Sequence, residues 1–588
     1  MQHLRSLARG RVRLATGLVA AALAAGTALA WSPALAWAQD TGAATQLVHD
    51  AGRKLREQDL GGALRLLEQA VAADPGNAAA HAMYQDTARQ VVGPADVIQR
   101  YRKLAAEKPD DALYAYLAAR LDDPEAAAQA FEKLVLKFPK SPWPLLGKAH
   151  AYEQLGRTQD ALAALEAALS LAPSDAYVRA VHAYALERAQ RWSDAADAWR
   201  RVVELAPRDS SARIGLGECL RNAGVDEDAV AAFGEAAAAD PKDPDPPYRI
   251  GLVHLQAGRI TEALASFEQA LALDRGMVEA LCGAAEAALK RAIDDAKAKN
   301  ELPDEKQLQT ALDYAVRAAA ANPESARAHF AQGAVYEAFG EFDAVHLDKS
   351  LEEYQAALDR LSFPGPPRVR VLVARSYVLL RLARWDEAEQ TAVMALDIDP
   401  KNIPAMLHAG HALSQTGKYE EALKKYYKVG LKIAKDDPRL LFGAGMASWG
   451  AFKHNDARKY IEDAVKADEE NGLYRLALGD LYYELKKNKE AEVQLQVAVE
   501  LRPKDPVAWS AYGRACSATQ NWTESAAAFE KVCELNEDAV DEYEYLAIIY
   551  GLHLKDAEKA KAAAKKFAEK GGSDPNIQSF LDDLVNGS

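Results

Sequence analysis

Cysteine is scarce: Cys219, Cys282, Cys516 and Cys533 are the 4 in 588 residues, and no Cys-x-x-Cys pair occurs among them. That excludes a disulfide framework and a thiolate zinc site. Positive charge is in deficit, with 71 Lys plus Arg against 86 Asp plus Glu and a formal charge of −15. A field of that sign repels phosphate backbones, so nucleic acid is not an expected partner. Gly at 35 and Pro at 25 fall far short of collagen-like or low-complexity sequence, while 49% apolar content suffices for a packed core. Beyond residue 40 no apolar run reaches the roughly 18 residues of a membrane span. Also missing are His-Glu-x-x-His, Gly-x-Ser-x-Gly and a Gly-rich phosphate loop ending in Lys-Ser or Lys-Thr. With no motif to carry chemistry, no catalytic residue, cofactor or metal is expected, and the chain reads as a non-enzyme.

The first forty residues differ from the rest. Arg5, Arg9, Arg11 and Arg13 precede an Ala/Leu/Val run from Leu14 to Trp31, and no acidic residue comes before Asp40. This is the layout of a bacterial secretory signal, placed here at 1–38, with an uncleaved anchor as the alternative. Of two small-x-small sites, Ala36-Trp37-Ala38 is favoured over Ala28-Leu29-Ala30, because Ser32-Pro33 ends the apolar core just upstream of it. The absence of a cysteine here excludes a lipid-modified start. The expected location is periplasmic or secreted, or anchored in the inner membrane facing the periplasm, with membrane contact only through this segment.

From Pro173 a step of 34 reaches Pro207 and a second reaches Pro241; Pro75 and Pro109 show the same separation. Within a unit Gly217 is followed by Ala229, Ala236 and Pro241, and one period later by Gly251, Ala263, Ala270 and Arg275. Gly410, Ala422 and Val429 keep the offsets, as do Gly479, Ala491, Ala498 and Pro503, then Gly513, Ser525 and Val532. Small residues at one point of two antiparallel helices let their backbones approach, so each unit is read as a helical hairpin. Trp143–Leu155 gives a first helix, Gly156 the turn, Gln159–Leu171 the second helix, and Pro173 the stop. Phe131, Leu165, Trp199, Phe233, Phe267, Tyr426, Leu495 and Phe529 fall four residues after the small residue of the second helix and are the expected knobs between hairpins.

These residues resemble the tetratricopeptide repeat family, whose 34-residue motif combines them in this order. The resemblance covers about fifteen units from Thr45 to Lys570. It implies an all-α fold, a right-handed superhelical solenoid of helix-turn-helix hairpins. The expected organisation is an N-terminal array over 39–290, degenerate at 81–139; irregular units with insertions over 291–367; a C-terminal array over 368–570; and a capping helix and tail over 571–588. The 48 residues from Arg275 to Pro323 exceed one period by 14, the excess lying in the polar segment Arg291–Thr310. Further extensions fall at Glu341–Lys349 and Pro364–Pro367.

The resemblance also implies a concave groove, lined by first helices, that binds extended peptides or partner helices. Carried onto this sequence, the inward positions hold Tyr184, Tyr248, Phe330, Tyr377, Phe442, Met446, Trp449 and Tyr483, the candidate partner-binding stripe. His150, Glu153, Glu187, Glu218, Arg221, His411, Asp480 and Arg514 stand among them, so the groove is expected to be aromatic and mildly acidic. No Lys/Arg/Asn cluster recurs on successive units, which disfavours a clamp for carboxyl-terminal tails. Aromatic hot spots suit a protein or peptide partner of the cell envelope. A polysaccharide is the alternative ligand. Lys425, Lys428, Lys432 and Lys435 share a helix face, and His408 and His411 stand three apart; both patterns are more simply a solvated face and packing histidines.

Overall fold

The computed structural model describes residues 43–572, apart from 57, 58, 208 and 300. The export segment 1–38 and, from residue 573 on, the capping helix and tail expected over 571–588 lie outside the described residues. What is described is all-α, an unbroken succession of helices with no strand among the described residues, packed chiefly as neighbours in the chain. Contacts divide it into two compact units that part between Val335 and Tyr336, inside the helix Ala326–Phe339 and within the irregular middle stretch.

The hairpins form where the period places them. Trp143–Gln154 and Thr158–Leu171 are one pair, Asp245–Gln256 and Ile260–Leu273 another, Gly472–Glu484 and Asn488–Leu501 a third. First helices commonly begin at an Asp or Asn whose side chain accepts backbone N–H bonds: Asp175 from Tyr177 and Val178, Asn402 from Ala405, Asp505 from Val507. They end in a left-handed residue. At Gly156 the N–H donates to the Glu153 carbonyl, and the Arg157 N–H reaches back to Tyr152, the Schellman arrangement.

Left-handed positions keep the register as a ruler would. Gly156, Gln190, Gly224 and Gly258 stand 34 apart, as do Ala383 and Gly417. From Gly417 to Phe452 the step is 35, the next two steps, to Lys486 and Gln520, return to 34, and Lys555 is again 35 further on. Each 35-residue step contains a π-helical turn, Leu423–Tyr427 or Ile549–Leu554, which absorbs the one extra residue inside a helix.

The first π turn corrects two assignments. Tyr426 was expected as the knob, but Tyr427 occupies that place: a Cβ on Gly410 or Gly443 would come within 2.7 or 2.3 Å of its ring. Likewise the closing small residue is Gly430, buried near Leu440 and Met406, while Val429 turns outward. An inserted residue rotates everything after it by about 100°, which a fixed offset of 34 does not anticipate. The remaining knobs are buried as expected, Trp199, Phe131, Phe233, Phe267, Phe529 and Leu165 among the largest fully buried side chains.

The irregular stretches have simple causes. Arg291–Thr310 is no loop: most of it lengthens a hairpin, so that Val278–Lys299 has 22 residues and Glu305–Ala321 has 17, against 14 in Ile260–Leu273. In the degenerate region Pro109 to Pro139 is 30 residues, 4 short of the period. The deficit appears as a short first helix, Ala112–Ala119. Its neighbour Ala78–Val91 buries two polar side chains, His81 and Gln85; His81 Nδ1 meets the Tyr101 hydroxyl at 2.8 Å and Gln85 donates to the Leu117 carbonyl at 2.7 Å.

Non-glycine residues held left-handed are strained by about 1 kcal/mol. Ala383→Gly and Gln190→Gly are therefore expected to raise the thermal midpoint, each worth about 0.5–1 kcal/mol, while Gly156→Ala lowers it by a similar amount. Calorimetry of the three single variants checks the sign at each position.

Candidate functional site

In the first unit the inward positions are occupied by one another. Tyr184 stands edge-on to Trp199 with ring centroids 4.9 Å apart, and the Trp199 indole N–H donates to the Glu187 carboxylate. The Cys219 thiol of the following first helix also donates to Glu187, at 3.3 Å. Glu218 accepts from Arg221 at 2.7 Å and from Arg249 at 2.5 Å, and Arg249 reaches Asp245 at 2.8 Å. Arg188 pairs with Glu153 at 3.2 Å. Tyr248, only 8% exposed, packs against Phe267 and accepts from the Arg327 guanidinium at 3.1 Å, across 79 residues of chain. Phe330 is half-buried on the helix that carries Arg327.

The expected acidic groove is thus corrected in one respect. Its carboxylates are matched by arginines, Glu153 by Arg188, Glu218 by Arg221 and Arg249, Asp480 by Arg514. Arg249 and Arg327 sit at positions of the first helix that the inward rule does not sample, so sequence reasoning missed them. Their signal was present only as a basic residue within reach of an inward group on another first helix, the Glu218 carboxylate for Arg249 and the Tyr248 hydroxyl for Arg327.

Burial sets the charge states along this line. Loss of water pushes the Glu187 carboxyl up to about 7, against the opposing hydrogen bonds from Trp199 and Cys219. Burial also pushes Asp209 up to about 6, and it drives His150 down to about 3. Glu218 goes the other way, held below the usual carboxylate range because Arg249 and Arg221 outweigh its burial.

The second unit differs. Tyr377 is half-buried, 5.8 Å from the His408 ring. Phe442 rests on Tyr474 with centroids 4.6 Å apart, and Phe442 and Met446 lie partly covered over the cluster around Ile461 and Leu481. Tyr483 is half-buried, with the Arg514 guanidinium 5.9 Å from its ring and Arg514 in turn 3.6 Å from Asp480. Trp449 is the exception in this unit: it is 7% exposed and its indole N–H donates to Glu484 at 2.9 Å. The other Glu484 oxygen meets His454 at 2.9 Å. Of the eight stripe residues, Phe442 and Met446 lie partly open on one first helix, Pro438–Gly450, over one apolar cluster, and Tyr483 is half-buried on the next first helix, Gly472–Glu484, while Tyr248 and Trp449 are core.

His408 and His411 are enclosed, and burial lowers both, His408 to about 4; Ser376 Oγ lies 2.8 Å from His408 Nδ1. Among the described residues no group of three or more His, Cys, Asp or Glu is placed to hold a metal. No helix there is long and apolar enough to cross a membrane.

Comparison with known proteins agrees with the repeat geometry. Tetratricopeptide repeat models match residues 122–183 and 448–515, and 181–244 and 248–298. A member of the BBSome complex, BBS4 from Bos taurus, is 25% identical over 158 residues, which is 27% of this chain and 30% of that protein. The chain thus spans less than a third of that relative's length. Among solved structures, the Cut9–Hcn1 hetero-tetramer of the APC/C covers 84% of this chain and 99% of its own at 14% identity and a TM-score of 0.37. Yeast Tom70 covers 70% and 96% at 14% identity and 0.34. The matched segments are tetratricopeptide repeats, a family that generally binds protein partners and serves as interaction scaffolds.

A carboxylate whose folded value is raised from 4.5 to about 7 is protonated in the fold while the unfolded chain has already released its proton. Between those values the unfolded state binds fewer protons, so stability falls as pH rises, and above the folded value the full cost is present. Glu187→Gln keeps an acceptor for Trp199 and removes the titration. The variant is expected to be more stable than wild type at pH 7.5 by about 1–3 kcal/mol and equal to it near pH 4.5. Denaturant melts of both proteins across pH 4.5–8 read the difference.

Proposed function

We propose that this tetratricopeptide-repeat chain is an exported, non-enzymatic scaffold of the cell envelope that docks a partner protein on the inner face of its second unit. The observation that carries the reading is the contrast between the two inner faces. In the first unit Tyr184 and Phe330 are half-buried as well, but Tyr184 is held edge-on by Trp199 and the inward carboxylates Glu153 and Glu218 are paired with arginines. In the second, Phe442, Met446 and Tyr483 keep part of their apolar surface open on adjacent helices, with the Asp480–Arg514 pair beside them. Aromatic and thioether side chains of this kind give large contact area at little cost in rotamer freedom and re-pack readily around a partner segment. The basic, then apolar, N-terminal sequence with its Ala36-Trp37-Ala38 site supports export.

The test is an affinity pull-down from the envelope fraction of the source cell with the wild-type chain and with Phe442→Ala/Met446→Ala/Tyr483→Ala, analysed by mass spectrometry. Trp449 stays unchanged, because its truncation would open the core and leave Glu484 with His454 alone. The triple variant is expected to keep its thermal midpoint within a few degrees and to lose a defined set of partners, at about 1–3 kcal/mol per side chain. Recovery of the same set by a folded variant removes the proposal. Retention of envelope polysaccharide in place of proteins, lost in the variant, replaces the protein partner by a sugar polymer on the same face.

A further inference from the structure

The helix that runs from Tyr419 through the π turn to Ile433 presents its outer face in two rows with a four-residue step. One row is Lys424, Lys428 and Lys432; the other is Lys425, Val429 and Ile433, and Lys435 follows at the helix end. All four residues of the first row and the end, Lys424, Lys428, Lys432 and Lys435, are exposed and make no ion pair with any described residue; Lys425 pairs with Glu421. Val429 is 37% exposed and Ile433 45%.

Three features distinguish this face. Like charges four apart oppose helix formation, and only Lys432, in the last turn, is favoured by the helix dipole. In a chain of net charge −15, basic residues elsewhere on exposed helix faces repeatedly pair with a neighbouring acid, as Arg191 does with Asp194, Arg201 with Glu204 and Arg384 with Glu387. The π turn, finally, rotates Val429 outward and Gly430 inward, and so sets an apolar pair beside the lysines.

We infer that this face is a docking surface for an anionic lipid bilayer. A bilayer offers both things the two rows require: a plane of negative headgroups for the ammonium row and an apolar layer just below it for Val429 and Ile433. Long lysine side chains reach the headgroups while their methylene stems cover the apolar pair. A soluble polyanion supplies only the charge. The contact is peripheral, separate from the inner-face docking proposed above, and it adds a second membrane contact to the one expected of the N-terminal segment.

Full-length chain is mixed with vesicles of neutral phosphatidylcholine alone or with phosphatidylglycerol, and surface lysines are acetylated briefly and quantified by mass spectrometry. The N-terminal apolar run can attach to either kind of vesicle, so the reading is the local protection. Lys424, Lys428 and Lys432 are expected to be protected several-fold on anionic vesicles only, with Lys459 and Lys489 unchanged. In parallel, Lys424→Gln/Lys428→Gln/Lys432→Gln, all exposed and neutral to folding, is expected to lower the partition ratio of anionic over neutral vesicles by on the order of 100-fold. The same three-charge change at Lys459, Lys466 and Lys489 is expected to leave that ratio within about three-fold. Equal reactivity of the row on both vesicles, or protection by heparin with none by anionic vesicles, overturns the inference.

Discussion

The structure depends on one contact that recurs along the chain: a large side chain of a second helix seats against backbone where a first helix has a glycine, as Phe131 does at Gly147, Phe233 at Gly217 and Phe529 at Gly513. Phe267 shows it in full, lying between Gly251 of its own hairpin and Gly283 of the next, where added Cβ atoms would stand 2.6 and 2.7 Å from the ring. Tyr427 is held in the same way between Gly410 and Gly443. Because these knobs touch the hairpin on either side, they fix both the closeness of a pair and the step to its neighbour. Burying such a ring is worth several kcal/mol, about 3–5 by the usual cost of Phe→Ala in a core. Per-residue stability of that size, repeated at a fixed spacing, is what holds a quasi-one-dimensional array in register.

That constraint explains how the array tolerates departures. An extra residue placed between a glycine and its knob would turn the ring away from its seat. The π turn at Leu423–Tyr427 avoids this by widening one helical turn, so Tyr427 arrives where Tyr426 would otherwise have been. Longer insertions are placed where no knob is disturbed: the 14 extra residues after Arg275 go mainly into the far end of a hairpin that reaches beyond its neighbours. Four residues are lost from the free length of Ala112–Ala119, and there the local core turns to hydrogen bonds such as His81 to Tyr101.

The fold was legible in the sequence because its rule is local and periodic. Gly, Ala and Pro at fixed offsets named the hairpins, and the turn expected at Gly156 has left-handed backbone, as Gly224 and Gly258 do two and three periods on. Turns at Gln190, Ala383 and Phe452 have the same conformation without the glycine, so only their spacing betrayed them. The candidate site was less legible. The inward rule names positions, but whether an inward side chain stays open depends on what a neighbouring first helix extends towards it. Tyr248 is closed by Arg327, 79 residues away, and Trp449 by Glu484, 35 residues away. Such pairs are set by the step between hairpins, which no single repeat contains.

The polar ties on the inner face of the first unit have their own logic. A buried ion pair such as Arg249 with Glu218 and Asp245 adds little net stability over an apolar equivalent, since both partners give up their water. Mispairing is what it penalises. If one hairpin shifted against the next, Glu218, Arg249 and the Glu187 acceptor of Trp199 and Cys219 would be left desolvated without partners, at several kcal/mol each. Apolar knobs resist separation of the hairpins but slide with less penalty than directional bonds do. The knobs therefore supply cohesion and the ladder of carboxylates and arginines supplies angle, so that the inner face of this unit is spent on fixing its own geometry. Open apolar surface is left to the unit whose inner line carries fewer such ties, at Phe442, Met446 and Tyr483.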